Sequence, residues 1–126
     1  MRETSRANLA IESGSVAAER LLGRRDPPSA IFCFNDEMAM GVIETARLRK
    51  LRIPHDLSVV GFDDIRFARY TDPPLTTVAQ PMRAIGEGTV RLLLQILNGD
   101  GSSAPDSITL PHTLTVRSST APPSFA

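Results

Sequence analysis

Two short apolar runs, Ala30 to Phe34 (AIFCF) and Leu57 to Phe62 (LSVVGF), flank one amphipathic segment, and this arrangement constrains the fold more than any other feature. Each run has the length and the β-branched or aromatic content of a strand, and the first reads as a strand buried on both faces. Between them Asn35 or Asp36 offers an N-cap and Glu37 puts negative charge in the first turn. Ala39, Val42, Ile43 and Ala46 form an inward stripe, and Arg47, Arg49 and Lys50 suit the far end of the dipole. The spacing predicts a helix over 37–50. Strand, helix, strand in this order implies a parallel pair joined by a right-handed crossover, hence an α/β fold with a mostly parallel sheet.

The flanking segments extend this unit. Val16, Ala17 and Leu21 recur at helical spacing before Gly23, which sits where a left-handed C-cap residue would. Beyond Asp63 and Asp64 lies a polar, potentially helical stretch (IRFARY), and Pro73 and Pro74 then require extended chain. TTVAQ reads as a short strand. Pro81 opens a helix with the stripe Met82, Ile85, Thr89, Leu93 and Ile96, closed by Asn98 and Gly99. DGSSAPDS reads as a loop. ITLPHTLTVRSS alternates Leu114 and Val116 with Thr113, Thr115 and Arg117 like a late strand, and 121–126 reads as a frayed tail.

Composition narrows the function classes. Fourteen basic and fourteen acidic side chains cancel over 126 residues, leaving no net field to draw the chain onto nucleic acid or an anionic membrane. The absence of a long apolar run or a secretory signal predicts a cytoplasmic protein. The lone Cys33 reads as a small buried hydrophobe. His55 and His112 lack the partners a metal site needs, Ser15 lacks the glycines of a nucleophile elbow, and no glycine-rich phosphate loop precedes a helix. Neither an enzyme nor a metal or cofactor protein is expected.

Ligands in parallel α/β sheets gather at the carboxyl ends of the strands, where loops converge and helix N-termini present free N–H groups. Asn35 and Asp36 follow the first strand and Asp63 and Asp64 the second, so both pairs fall on one edge. An amide beside a carboxylate suits a polyhydroxylated or nitrogen-rich small molecule such as a sugar or nucleoside. Helix capping competes for these residues, and Asp36 and Asp64 read first as caps.

The segments FNDEMAMG, IPHDLSVVGFDD, DPPLTTVAQP and LPHTLTVRSSTAPP, in this order and spacing, resemble successive signatures of the lactose-repressor (LacI/GalR) family of transcription regulators, over about residues 8–123. The resemblance implies a three-layer α/β lobe like that of periplasmic sugar-binding proteins, a parallel sheet flanked by helices, with residues 1–120 forming the C-terminal portion of an effector-binding domain. It implies that Asn35 and Asp63 hydrogen-bond the effector, that Gln80 and Met82 line the cleft, and that Leu9 holds a position where relatives often carry a stacking aromatic. Met38, Met40 and the stretch Phe67 to Thr71 would form a homodimer contact, with core packing as the competing role of the two methionines. Relatives bind DNA through an upstream helix-turn-helix headpiece, which this chain does not contain. Without that headpiece, the N-terminal lobe and the opening strands of the C-terminal lobe the fold would be incomplete, the Pro81 to Leu97 helix would expose its stripe, and the chain would associate or rearrange. A solute-binding protein of a sugar transport system is the alternative.

Overall fold

The computed structural model describes residues 9–98 and 107–123. The chain divides into two compact units, Met1–Ala79 with Leu114–Ala126, and Gln80–Thr113. The first unit contains helix α1 (Ile11–Leu22), strand β1 (Ala30–Phe32), helix α2 (Asp36–Leu48), strand β2 (Ser58–Asp63), a 3-10 turn (Arg66–Tyr70) and strand β3 (Thr76–Ala79). β1 pairs with β2 and β2 with β3, both in parallel, with Phe32 opposite Val60 and Asp63 opposite Ala79. A fourth strand, β4 (Thr113–Thr115), completes the order β1-β2-β3-β4. The parallel α/β architecture expected from the sequence is therefore present.

The core lies between the sheet and α2. Ile31 and Cys33 from β1 and its exit, Val59 from β2, Leu57 and Leu75 meet Ala39, Val42, Ile43 and Ala46 of α2, the stripe expected for that helix. Full burial of an aliphatic side chain such as Leu57, Val59 or Leu75 stabilises by roughly 1.5–3 kcal/mol. Leu21, Met38, Leu51 and Ile53, all partly buried, pack around this cluster. α2 ends in a Schellman turn: Lys50 N–H donates to Arg47 O and Leu51 N–H to Ala46 O, with Lys50 in the left-handed region at φ 59°.

Several expectations are corrected. The AIFCF run is covered on one face only, since Ile31 and Cys33 are buried whereas Phe32 and Phe34 are 65% and 72% exposed. Burial on the opposite face would need a second layer, which no described helix of this unit supplies. α1 buries Gly14, Ala18 and Leu22 rather than a face built on Val16, which is exposed. The small residues face α2 because the helices approach backbone to backbone: a Cβ on Gly14 would lie 2.1 Å from Met38 O, and one on Gly41 2.0 Å from Ile11 O. Gly23 adopts right-handed φ −83° and not a left-handed cap.

The late strand is inverted: Leu114 and Val116 point to solvent, while Arg117 turns inward. Three hydrogen bonds account for the inversion. Arg117 donates its N–H to Thr76 Oγ1 at 3.0 Å and its guanidinium to Leu75 O at 2.7 Å and Asp64 Oδ1 at 2.6 Å. Residue 121, expected to open the frayed tail, is held instead, because Ala121 exchanges hydrogen bonds with the Ser58 hydroxyl through both its N–H and its carbonyl. Just before it, fully buried Ser119 donates to Val59 O at 2.6 Å and accepts from Thr76 N–H at 2.8 Å.

The second unit contains α3 (Met82–Leu97), which follows Pro81 as expected and ends at Asn98. None of its residues is buried: of the expected stripe Met82, Thr89, Leu93 and Ile96 are exposed and Ile85 is half-buried, and Val90, Leu94 and Leu97 are exposed as well. The DGSSAPDS segment, apart from Ser107, lies outside the described residues. Among the described residues no helix is long and apolar enough to cross a membrane.

Candidate functional site

Parallel pairing of β1 with β2 puts the exits of both strands on one edge of the sheet, and the two polar turns stand there. Asn35, in extended conformation at φ −150°, is the N-cap of α2: its Oδ1 accepts the Met38 N–H at 2.8 Å. Its Nδ2 donates to the Leu9 carbonyl at 2.9 Å. The structure thus brings together two of the residues singled out from the sequence, through the backbone of Leu9 rather than its exposed side chain. An asparagine has two N–H groups and two acceptor lone pairs, so these bonds leave Asn35 one of each for a guest.

Asp63 closes β2 opposite Ala79 and has φ 105°, and Asp64 follows at φ 51°. Consecutive positive φ values turn the chain sharply away from the sheet, in a region that aspartate visits more readily than most residues. Asp64 does not cap a helix, because the 3-10 turn begins after Ile65 with no side-chain cap, and its carboxylate is bound by Arg117.

Asp36 is not a cap either. Asn35 occupies that position, and the Asp36 side chain, completely buried, crosses to the β2 turn. Its Oδ2 accepts the Ile65 N–H at 2.8 Å and its Oδ1 the Thr77 hydroxyl at 2.5 Å, while Thr77 Oγ1 accepts the Asp64 N–H at 3.3 Å. Burial pushes the Asp36 carboxyl above its ordinary value, the two hydrogen bonds pull it back, and the nearby Asp63 and Asp64 charges push it up further. Gly61 makes room for this carboxylate: a Cβ there would lie 2.1 Å from Asp36 Oδ1.

Gln80 and Met82 belong to the second unit. Met82 donates its N–H to the Gln80 carbonyl at 2.9 Å, and its side chain is exposed. Sequence reasoning missed the network of Asp36, Thr77 and Arg117. Its one visible trace was an aspartate as the second polar residue after each strand, and capping explained both equally well. Both histidines are exposed, and among the described residues no group of three or more histidine, cysteine or acidic side chains could hold a metal.

A family model described as a periplasmic binding protein-like domain matches residues 2–120. The chain is 43% identical over 95 residues to the HTH-type transcriptional repressor CytR of Escherichia coli K12, covering 75% of this chain and 28% of that protein. Among solved structures, a complex of the transcriptional regulator CelR with cellobiose superposes with a TM-score of 0.81 at 34% identity, covering 87% of this chain and 33% of that one. The lac repressor dimer bound to operator and the anti-inducer ONPF gives a TM-score of 0.81 at 33% identity, covering 88% and 38%. The chain therefore spans about a third of the length of the proteins it matches.

Proposed function

Because the chain belongs to the periplasmic binding protein-like domain family, in its lactose-repressor (LacI/GalR) branch of transcription regulators, we propose that its sheet edge contributes effector contacts that govern DNA binding in a cytoplasmic regulator. The observation that carries this reading is the common edge of the Asn35 and Asp63 turns, joined beneath by Asp36. One unused amide N–H and one acceptor site on Asn35, with the Asp63 carboxylate on the same sheet edge, suit the hydroxyls of a sugar or the ribose and base edge of a nucleoside. The cellobiose complex of CelR supports the sugar class. Leu9 is a further effector contact in this reading. An effector that binds one arrangement of the intact protein better than another shifts the balance between them, and DNA affinity follows.

Subunits would meet through Met38, Met40 and the Phe67 to Thr71 stretch. Phe67 and Tyr70 are 66% and 70% exposed, as ring anchors of an interface would be in an isolated protomer. The relatives are repressors, which favours regulation over solute transport.

Titration calorimetry against cytidine, adenosine, cellobiose and lactose tests the effector reading. A saturable heat is expected for one of them, weakened about tenfold or more in Asp63→Asn, because loss of a charged hydrogen-bond acceptor costs roughly 1.5–3 kcal/mol. No saturable heat from any of the four, or unchanged affinity in Asp63→Asn, refutes it.

A further inference from the structure

Two consecutive aspartates, Asp63 and Asp64, stand in the left-handed region. Each is disfavoured at positive φ, and the turn containing them starts at the last paired residue of β2. Their backbone is restrained from outside the turn. The Ile65 N–H ends directly on Asp36 Oδ2, and the Asp64 N–H ends on the Thr77 hydroxyl, which itself donates to Asp36 Oδ1. One buried carboxylate on the first turn of α2 thus fixes two successive amides, one directly and one through Thr77 on β3. Its own placement is built in: it has no exposure to solvent, and Gly61 beneath it leaves no room for any side chain.

We propose that Asp36 is the positioning residue of the candidate effector site, holding the turn Asp63–Ile65, in which Asp63 and Asp64 have positive φ and Ile65 is extended again, and so setting the direction in which Asp63 leaves the sheet. The proposal rests on the reading of Asp63 as an effector contact. An effector contact requires placement within a fraction of an ångström, and a turn of strained residues keeps such placement only when its surroundings over-determine it. A carboxylate is suited to the task because both oxygens accept. Asparagine in its place could receive one of the two donors but would present an N–H to the other. The charged groups facing Asp36 are Asp63 and Asp64 from the β2 turn, with Arg117 bound to Asp64, and the Cys33 thiol lies toward it from the exit of β1.

The test uses the 126-residue chain, isotopically labelled, with amide hydrogen exchange followed by NMR in wild type, Asp36→Asn, Thr77→Val and Asp63→Asn. Thr77→Val replaces a hydroxyl by a methyl group, so the result does not depend on how well Asp36→Asn folds. Exchange at Asp64 and Ile65 is expected to accelerate about tenfold or more in Asp36→Asn and Thr77→Val, while the interior of α2 at Ala46 is unchanged. Affinity for cytidine or cellobiose, whichever the wild type binds, is expected to fall at least about fivefold in both variants that disturb the network. Wild-type exchange at residues 64 and 65 in both of these variants would overturn the proposal, because the turn would then be self-supporting. Accelerated exchange together with undiminished binding by Asp63→Asn would instead refute the effector role of Asp63 and leave Asp36 as the residue that holds the turn.

Discussion

The Arg117 guanidinium meets the Asp64 carboxylate at 2.6 Å across 53 positions of sequence, and its other terminal nitrogen donates to the Leu75 carbonyl at 2.7 Å. This pair ties the chain after β4 to the turn after β2, and both side chains are largely shielded from water. Removing one partner of a shielded pair leaves the other charge and a carbonyl without their donors. Arg117→Ala is therefore expected to lower unfolding free energy by about 2–3 kcal/mol, read from urea midpoints. Arg117→Lys should recover only part of the loss, because an ammonium lacks the planar fork that reaches both acceptors.

Close approach of α1 and α2 sets a second expectation. Alanine at Gly14 or Gly41 would gain helix propensity, yet each new methyl group would enter a backbone carbonyl of the opposite helix. Steric conflict wins because neither carbonyl can move without shifting its helix. Each substitution should destabilise by about 1–3 kcal/mol in denaturant unfolding, and a stabilised Gly41→Ala would show that the helices can separate freely.

Lys50 occupies the left-handed position of the Schellman turn that ends α2, where glycine carries no Cβ penalty. Lys50→Gly should raise stability by about 1 kcal/mol, visible as a higher melting temperature. Lys50→Val should lower it, since β-branching makes the left-handed region worse.

The pH dependence has opposite signs in two ranges. Burial raises the Asp36 carboxyl in the folded chain, so between its ordinary value and the raised one the folded state retains a proton that the unfolded state has released. Stability from this group declines as pH rises through that window. Glu19, Glu44 and Asp56 behave in reverse: hydrogen bonds from Arg49, Arg47 and Arg52 hold them below their ordinary values, and their contributions fade as pH falls through the acid range. All three are exposed surface pairs, so their effect is small and sensitive to salt. Urea midpoints at a series of pH values should show the stability of wild type relative to Asp36→Asn shrinking as pH rises above the ordinary carboxylate range. A constant difference would show that Asp36 titrates alike in both states.

Cys33 reports on opening of the core. Desolvation, aided by the Asp36 charge, pushes its thiol up to about 12, so almost no thiolate exists at neutral or mildly alkaline pH. Iodoacetamide at pH 8 should label the native chain at less than about 1% of the rate of the urea-unfolded chain, followed by mass spectrometry. Comparable rates would mean that the exit of β1 is open to solvent.

The parallel strand-helix-strand unit was legible because its signals are local and redundant. The α2 stripe of Ala39, Val42, Ile43 and Ala46 repeats at one period, and the two apolar runs bracket it at strand length. Asn35 and Asp63 were legible as an edge because parallel pairing dictates where strands end. The exposure of Phe32 and Phe34 was not, since periodicity reports that a face is apolar and says nothing of what covers it. The buried face of α1 was hidden for a related reason: Gly14 and Ala18 carry little hydrophobic signal, although their lack of bulk is what permits the contact. Asp36 and Asn35 are both good caps by type, and only the extended backbone of Asn35 decides between them. The inward turn of Arg117 depends on partners 41 to 53 positions away, which no local pattern encodes.

The interlocked glycines of α1 and α2 also bear on how this chain can be engineered. Two helices seated carbonyl against Cα leave no free space between them, so a bulky reporter grafted onto the facing sides would wedge the pair apart. The outward side of α1, where Val16 already meets water, is the place for a dye or tether.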